Sequence, residues 1–214
     1  MIKVLIADDH AIVRHGLKQL IAETPDMTVA GETDSGLEAL RLIRGSKLDV
    51  VLMDIAMPGK NGIETLKQIR SEWPNLPVLI LSMYPEDQYA VRLIKAGAAG
   101  YLTKESAPEQ LVAALRAVAR GKKFITPAVA ELLANELGGG NGSGTAPHAT
   151  LSDREDQIFR LLASGKTVSD AAERLSLSVK TVSTYRTRIL EKMGMKNNAE
   201  LTYYAIRNGL VEQP

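Results

Sequence analysis

The chain has 214 residues, of which 45% are hydrophobic and 24% are charged, a composition typical of folded globular proteins and not of disordered chains. It contains no cysteine, which excludes a disulfide scaffold, a thiolate zinc site and a cysteine nucleophile. The net charge of +1 indicates nothing by itself about binding to nucleic acid.

The first half of the sequence predicts five buried strands that alternate with five amphipathic helices. The strand-like runs are IKVLIA, MTVAGE, DVVLM, LPVLIL and GYLT, and the helical patterns begin at Ala11, Leu37, Ile63, Glu86 and Pro108. Runs such as DVVLM carry apolar residues at consecutive positions, as strands buried on both faces must. The predicted fold class is therefore α/β, a doubly wound five-stranded parallel sheet of the flavodoxin-like kind with helices on both sides.

The sequence gives no sign of a membrane or export segment. The first strand begins at Ile2, which leaves no room for a signal peptide, and no apolar run approaches the ~20 residues that a membrane span needs. We therefore expect a cytoplasmic protein that does not contact the membrane.

A boundary between two domains is predicted near the middle of the chain. A further helix from about Pro127 to Leu137 leads into GGGNGSGTAP at 138–147, which lacks charge and large apolar residues and is typical of a flexible linker. Beyond it, apolar residues recur at helical spacing, and a second, all-α domain is predicted. Its candidate N-caps are Ser152, Thr167, Ser178 and Asn198.

Polar side chains follow four of the predicted strands at one edge of the sheet. The first strand is followed by Asp8 and Asp9, the third by Asp54, the fourth ends at Ser82, and the last precedes Lys104. In an open parallel sheet, ligands bind beyond the carboxyl ends of the strands. Three carboxylates at one place repel one another unless a cation is present, and oxygen ligands suit Mg²⁺ better than zinc.

The same residues indicate chemistry on a phosphoryl group. A lysine ammonium and a serine hydroxyl beside Mg²⁺ are the groups needed to bind phosphate, and Asp54, on the central strand, is the natural nucleophile. His10 follows the acidic pair and is interpreted as a structural residue or one at the rim of the site, so the metal ligands are expected to be oxygens alone.

Residues 1–125 resemble the receiver domain of two-component response regulators, in VLIADDH, VVLMDIAMPGKNG, LILSM and AAGYLTKE. The resemblance implies that a partner sensor histidine kinase phosphorylates Asp54. It also implies that Asp9, Asp54 and the Ala56 carbonyl hold Mg²⁺ while Asp8 assists through water.

The same resemblance implies that Lys104 contacts the phosphoryl oxygens and that Ser82 and Tyr101 form a switch pair. In that switch the hydroxyl moves to the phosphate and the ring turns inward. Such a protein is a regulator and not an enzyme, apart from Mg²⁺-dependent phosphorylation and dephosphorylation of itself at Asp54.

The segment from Thr167 to Arg186 is typical of a helix-turn-helix, with Ser178 at the start of the second helix. The residues of that second helix predicted to face the core are Val182, Tyr185 or Arg186, Ile189 and Met193. The opposite face carries Lys180, Thr181, Ser183, Thr184, Thr187 and Arg188. A row of this kind is typical of a solvated helix face, which these residues alone favour, or of a face that reads base edges and phosphates in a major groove.

Residues 148–214 resemble a LuxR-type DNA-binding domain, and the two resemblances together indicate a response regulator of the NarL/FixJ type. They imply binding of double-stranded promoter DNA by the helix from Ser178 and a homodimer, formed on DNA or on phosphorylation, through the helix from Asn198 to Asn208. Ser183, Tyr185 and Thr187 stand where relatives often carry cations, so the affinity for DNA is predicted to depend less steeply on salt concentration than in those relatives. The predicted domains are 1–125, a linker helix and glycine-rich linker at 126–147, and 148–214.

Two other functions remain open at this point. A Mg²⁺-dependent phosphohydrolase on the same scaffold would usually carry an acid/base carboxylate two residues after the nucleophile, where this chain has Ala56. The third hypothesis is a binding module whose second domain acts as an adaptor without sequence-specific DNA contacts.

Overall fold

The computed structural model describes residues 1–57, 62–137, 146–175 and 177–211, which form two compact units, Met1–Gly140 and Asn141–Pro214. The strands of the first unit are β1 (Ile2–Ala7), β2 (Met27–Thr33), β3 (Val50–Met53), β4 (Val78–Ser82) and β5 (Gly100–Thr103). Its helices are α1 (Ala11–Ala22), α2 (Gly36–Gly45), α3 (Gly62–Glu72), α4 (Glu86–Lys95), α5 (Ala107–Ala119) and α6 (Pro127–Leu137).

The five strands form one parallel sheet in the order β2-β1-β3-β4-β5. The chain runs outwards from β1 in one direction to β2 and in the other to β3, so the strand order reverses between β1 and β3. This reversal opens a crevice at the carboxyl ends of the two strands, where ligands bind in open α/β sheets. The predicted doubly wound α/β fold is confirmed.

Alternate residues of each strand enter two separate hydrophobic cores. Val4 and Ile6 of β1 pack with α1 and α5 on one face of the sheet, whereas Leu5 and Ala7 pack with α2, α3 and α4 on the other. Burial of one such aliphatic side chain stabilises the fold by about 2 kcal/mol. The demand for apolar residues on both faces explains why the strands are apolar at consecutive positions.

Helix α6, predicted as the start of the linker, packs on the first unit. Val129 is buried in the core beside α4, Leu133 packs against the same core, and Thr126 Oγ1 donates a hydrogen bond of 2.7 Å to Glu86 Oε2. Of the predicted linker at 138–147, residues 138–145 lie outside the described residues.

The second unit contains a 3₁₀ turn (Pro147–Thr150) and four helices within its described part. They are α7 (Asp153–Ala163), α8 (Val168–Arg174), α9 (Val179–Met193) and α10 (Asn198–Arg207). The core that they enclose includes Ile158, Phe159, Leu162, Val182, Ile189 and Leu201. In neither unit do the described residues form a helix long and apolar enough to span a bilayer.

Three of the four predicted N-caps are confirmed. Ser152 and Thr167 form capping boxes, and Ser178 accepts a hydrogen bond from the backbone N–H of Thr181. The prediction of Asn198 as the cap of α10 is wrong, because the extended residue before it, Asn197, accepts from the Glu200 N–H. A cap must have non-helical backbone angles, and Asn198 already lies within the helix.

Buried polar contacts hold α7 against the two helices of the helix-turn-helix. Arg154, which is buried, donates hydrogen bonds of 2.9 Å to the Leu175 carbonyl and to Gln157. Lys192 of α9 pairs with Glu155 at 2.6 Å. Because a buried charge without partners is costly, these contacts restrict α8 and α9 to one arrangement on α7.

Gly62, at the start of α3, allows this helix to approach the backbone that follows β3. Its N–H donates to the Ile55 carbonyl at 3.0 Å, and a Cβ added at Gly62 would lie 2.1 Å from the Asp54 carbonyl oxygen and 2.8 Å from Ile55 Cα. Both neighbours are backbone atoms and cannot rotate away. The glycine therefore holds the segment after β3 close to α3.

We predict that Gly62→Ala lowers the free energy of unfolding of the first unit by about 2 kcal/mol, because the added methyl group forces the backbone apart. Trp73, the single tryptophan, packs against the core of this unit, so its fluorescence in a denaturant titration follows this unit alone. Gly16→Ala in α1 is the matched control, since an added Cβ there meets open space. It should leave stability unchanged or raise it by up to ~1 kcal/mol, and equal effects of the two variants would contradict the prediction.

Candidate functional site

Four strands of the first unit bring the predicted polar residues to one edge of the sheet. Asp8 and Asp9 follow β1, Asp54 follows β3, Ser82 ends β4, and Lys104 follows β5. Carboxylate oxygens of Asp8, Asp9 and Asp54 and a ring nitrogen of His10 all lie within 4.8 Å of one another.

Asp54 lies at the centre of this group and is only 1% exposed. Its Oδ1 accepts hydrogen bonds from the backbone N–H groups of Ile55, at 2.6 Å, and Ala56, at 3.3 Å. Its Oδ2 accepts from Lys104 Nζ at 2.8 Å. The backbone therefore orients one carboxylate oxygen, and the other is turned towards the lysine.

Lys104 lies between two buried carboxylates, because its Nζ is also 2.7 Å from Asp8 Oδ2. Burial favours the neutral amine, but the charges and hydrogen bonds of Asp54 and Asp8 outweigh this effect and raise the pKa of Lys104. The side chain is thus a fixed cation at the site.

The site carries three carboxylates against the one lysine ammonium, so its negative charge is not balanced. Burial raises the pKa of Asp54, and the Asp8 charge raises it further, although Lys104 acts in the opposite direction. Asp9 Oδ1 is buried and lies 2.7 Å from His10 Nδ1. A divalent cation with oxygen ligands would neutralise the excess of negative charge, so these residues fit Mg²⁺. The Ala56 carbonyl as a further ligand stays a prediction.

His10 belongs to the mouth of the site. Its Nδ1 lies 2.7 Å from Asp9 Oδ1, 3.3 Å from Lys104 Nζ and 3.9 Å from Asp54 Oδ2, and its side chain is 54% exposed. The sequence offered one signal of this position, the adjacency of the histidine to the two aspartates that end the first strand.

The two residues of the predicted switch are joined through Tyr84, which the sequence did not single out. Tyr101 is buried and its hydroxyl donates to the Tyr84 carbonyl at 2.7 Å, while Ser82 Oγ accepts from the Tyr84 N–H at 3.1 Å. Burial raises the pKa of Tyr101 above its usual range. The Tyr84 ring in turn packs on Tyr89 of α4, with 5.0 Å between ring centroids. The Tyr101 ring already has the inward position that the resemblance assigns to the phosphorylated form.

The second candidate site is the face of α9 that points away from the core of the second unit. Five of the six residues predicted to read DNA are exposed there: Lys180, Ser183, Thr184, Thr187 and Arg188. The sixth, Thr181, is half-buried, and its Oγ1 lies 2.7 Å from the Ser178 hydroxyl that caps the helix.

The exposed threonines have their hydroxyl hydrogens engaged within the helix. Thr184 Oγ1 donates to the Lys180 carbonyl at 3.0 Å, and Thr187 Oγ1 donates to the Ser183 carbonyl at 3.2 Å. Each hydroxyl then presents oxygen lone pairs outwards, so in this rotamer it acts as an acceptor. Exocyclic amino groups of adenine and cytosine are the matching donors in a major groove.

The sequence left open whether Tyr185 or Arg186 faces the core. Tyr185 packs partly against it, and its ring lies 6.0 Å from the Arg188 guanidinium carbon. Arg186 Nε instead donates to Asn198 Oδ1 at 2.6 Å. The arginine therefore joins α9 to the first residue of α10.

Two family models match this chain, one for each unit. Residues 4–116 match the response regulator receiver domain, and residues 149–205 match the bacterial regulatory proteins of the luxR family. The chain belongs to the NarL/FixJ-type response regulators.

Curated relatives match this response regulator along nearly their whole length. The response regulator GacA of Pseudomonas aeruginosa is 40% identical, and the alignment covers 99% of each chain. The response regulator UvrY of Escherichia coli K12 is 37% identical over 98% of this chain and 96% of that protein.

Solved structures of RcsB resemble it along most of the chain. RcsB from Salmonella enterica serovar Typhimurium bound to the rprA promoter in the presence of phosphomimetic BeF₃⁻ is 28% identical, with a TM-score of 0.62 over 95% of this chain and 98% of that one. A structure described as two RcsB dimers bound to two parallel DNAs is 29% identical, with a TM-score of 0.60 over 95% and 97% of the two chains.

We predict that Asp54→Asn stabilises the metal-free first unit at neutral pH. The pKa of Asp54 is raised in the folded state, so the protonated carboxyl stabilises the fold relative to the carboxylate. This contribution to the free energy of unfolding is fully present below the pKa that Asp54 has in the unfolded chain, and it is lost as pH rises through the pKa in the folded state. Asparagine cannot ionise, so the variant does not lose it.

Trp73 fluorescence in urea titrations with a chelator, at neutral and acidic pH, measures this difference. Asp34→Asn is the control, because Asp34 is exposed and its replacement removes the same charge. The increase in the free energy of unfolding that Asp54→Asn causes at neutral pH should become smaller at acidic pH. A variant less stable than the wild type at neutral pH would contradict the assigned effect of burial.

Proposed function

We propose that this response regulator receives a phosphoryl group on Asp54 from a sensor histidine kinase and that this controls its binding to promoter DNA. The observation that carries the proposal is the setting of Asp54, a buried carboxylate with one oxygen held by backbone N–H groups and the other by Lys104. A nucleophile oriented in this way needs no reorganisation when the donor arrives.

In the proposed transfer, a carboxylate oxygen of Asp54 forms a bond to phosphorus while the bond from phosphorus to the donor's histidine nitrogen breaks. That nitrogen keeps the electron pair of the broken bond. Lys104 Nζ, already 2.8 Å from Asp54 Oδ2, is placed to neutralise charge on the phosphoryl oxygens. Attack of water on phosphorus then breaks the bond between phosphorus and the Asp54 oxygen, which releases inorganic phosphate and returns the free carboxylate, so the protein's own chemistry is limited to this residue.

We infer that Asp8, Asp9, Asp54 and the Ala56 carbonyl hold Mg²⁺, with Asp8 acting through water. When bound, the ion would neutralise negative charge on the phosphoryl group and on the carboxylates around it. The convergence of three carboxylates beside one lysine supports this assignment.

The phosphohydrolase alternative receives no support from the site. Ala56 stands two residues after the nucleophile, so no side chain there can protonate a leaving group or activate water. The match of residues 149–205 to the luxR family also gives the chain a second unit that a hydrolase would not use.

We further propose that Ser82, Tyr84 and Tyr101 transmit phosphorylation to the surface around α4. If the Ser82 hydroxyl moves to bond the phosphoryl group, it gives up its hydrogen bond with the Tyr84 N–H. Tyr84 contacts both Tyr101 and Tyr89, so its displacement biases the packing of β5 and α4.

DNA binding is assigned to α9, with Lys180, Ser183, Thr184, Thr187 and Arg188 as its contacts and with Thr181 ordering the helix start. RcsB, a relative in sequence and structure, is described as bound to promoters and as dimers on DNA. We infer a homodimer for this chain through α10, where Tyr203 is 68% exposed.

We predict that Asp54→Ala abolishes phosphorylation by acetyl phosphate. Asp8 is engaged with Lys104 and the His10 backbone, and neither it nor Asp9 has the central position of Asp54. Phosphate-affinity gel electrophoresis measures the phosphorylated fraction, and Asp34→Ala, at an exposed carboxylate, serves as a control that should shift like the wild type. An undiminished shifted band in Asp54→Ala would show that another residue is the acceptor.

We predict that Lys180→Ala and Arg188→Ala weaken binding to all DNA sequences and reduce the slope of log affinity against log salt by about 1 each. Thr184→Ala should instead change the preference between sites, by about tenfold, because base contacts and not phosphate contacts carry sequence information. Site selection from a randomised duplex library, followed by salt titrations, measures both effects. Uniform weakening in all three variants would show that this division of the helix face into phosphate and base contacts is wrong.

A further inference from the structure

Val179, the first residue of α9, is an exposed apolar side chain on a face otherwise made of polar groups. It is 50% exposed, and the only other large hydrophobic residue exposed in the described part of the second unit is Tyr203 on α10. A valine half in water contributes little to the core, so packing within the domain does not explain its presence.

Its position along the helix relates Val179 to the residues proposed to read bases. Val179, Ser183 and Thr187 follow one another at intervals of four residues, which places them in one row along the helix surface. All three are exposed, and Val179 is at the N-terminal end of the row. In helix-turn-helix proteins the N-terminal residues of the reading helix contact base edges in the major groove.

We propose that Val179 reads the 5-methyl group of a thymine in the target site, an inference that rests on the proposed function of α9. The thymine methyl is the one apolar group that a base pair displays in the major groove, and small apolar side chains are its matching contact. A β-branched side chain in a helix has one strongly preferred rotamer, so Val179 presents its methyl groups at a fixed place with little loss of entropy.

The rest of the row strengthens the assignment. Ser183 and Thr187 are hydroxyl side chains, and the Thr187 hydrogen is engaged by the Ser183 carbonyl, so this residue offers a hydrogen-bond acceptor to the groove. The row contains no cation. The Ser183 and Thr187 hydroxyl groups distinguish bases that carry donors or acceptors, whereas Val179, at the end of the row that enters the groove, is its one wholly apolar side chain. Thr187, which also carries a methyl group, is therefore tested beside it.

The test begins with a duplex selected from a randomised library by the full-length protein treated with acetyl phosphate. Each thymine of that duplex is then replaced in turn by deoxyuridine, which removes only the 5-methyl group, and dissociation constants are measured for the wild type, Val179→Ala and Thr187→Ala. Alanine has a higher helix propensity than valine, and residue 179 is half exposed, so the first variant should remain folded. Circular dichroism verifies this.

At one thymine of each half-site, we expect deoxyuridine to weaken binding by the wild type and by Thr187→Ala about fourfold, the equivalent of ~0.8 kcal/mol for one buried methyl group. Val179→Ala should bind the thymine and deoxyuridine duplexes equally. The same deoxyuridine effect in Val179→Ala as in the wild type, or none at any thymine, overturns the assignment while leaving DNA binding by α9 intact. Failure to select any common sequence overturns the proposed function itself.

Discussion

The pairing of one lysine with two buried carboxylates is the constraint on which the first unit depends. Lys104 contacts Asp8 at 2.7 Å and Asp54 at 2.8 Å, and these residues come from the ends of three different strands. Removing Lys104 would leave two buried carboxylates without their cation, which is far more costly than losing a surface ion pair. The contact therefore fixes the carboxyl ends of β1, β3 and β5 relative to one another.

Even with this contact, the site has an excess of negative charge, and the proposed function starts from this imbalance. A fully neutralised cluster would be a structural ion pair with no reason to bind anything further. Here burial raises the pKa of Asp54, and three carboxylates face a single lysine. A divalent cation would offset this excess of negative charge.

The sequence predicted the fold well because burial on both sheet faces imposes an unmistakable pattern. β1 and β5 begin and end where the runs IKVLIA and GYLT do, and α6 spans Pro127–Leu137 as predicted. Strand ends also predicted which polar side chains share an edge. The sequence did not reveal the role of Tyr84, because that role depends on backbone groups that every residue possesses. It also did not reveal that Asn197, and not Asn198, caps α10, because the two adjacent asparagines differ only in their backbone angles.

The carboxylate site of the first unit was easier to recognise from the sequence than the exposed face of α9 in the second unit, for a physical reason. At the carboxylate site, groups that repel one another converge, which is costly without a neighbouring cation, so residue types alone were informative. On α9 the hydroxyl groups are equally suited to water, and their hydrogens close bonds within the helix. Among the described residues of that face, the exposed valine at the helix start is the one large apolar side chain, and we propose a thymine methyl group as its partner.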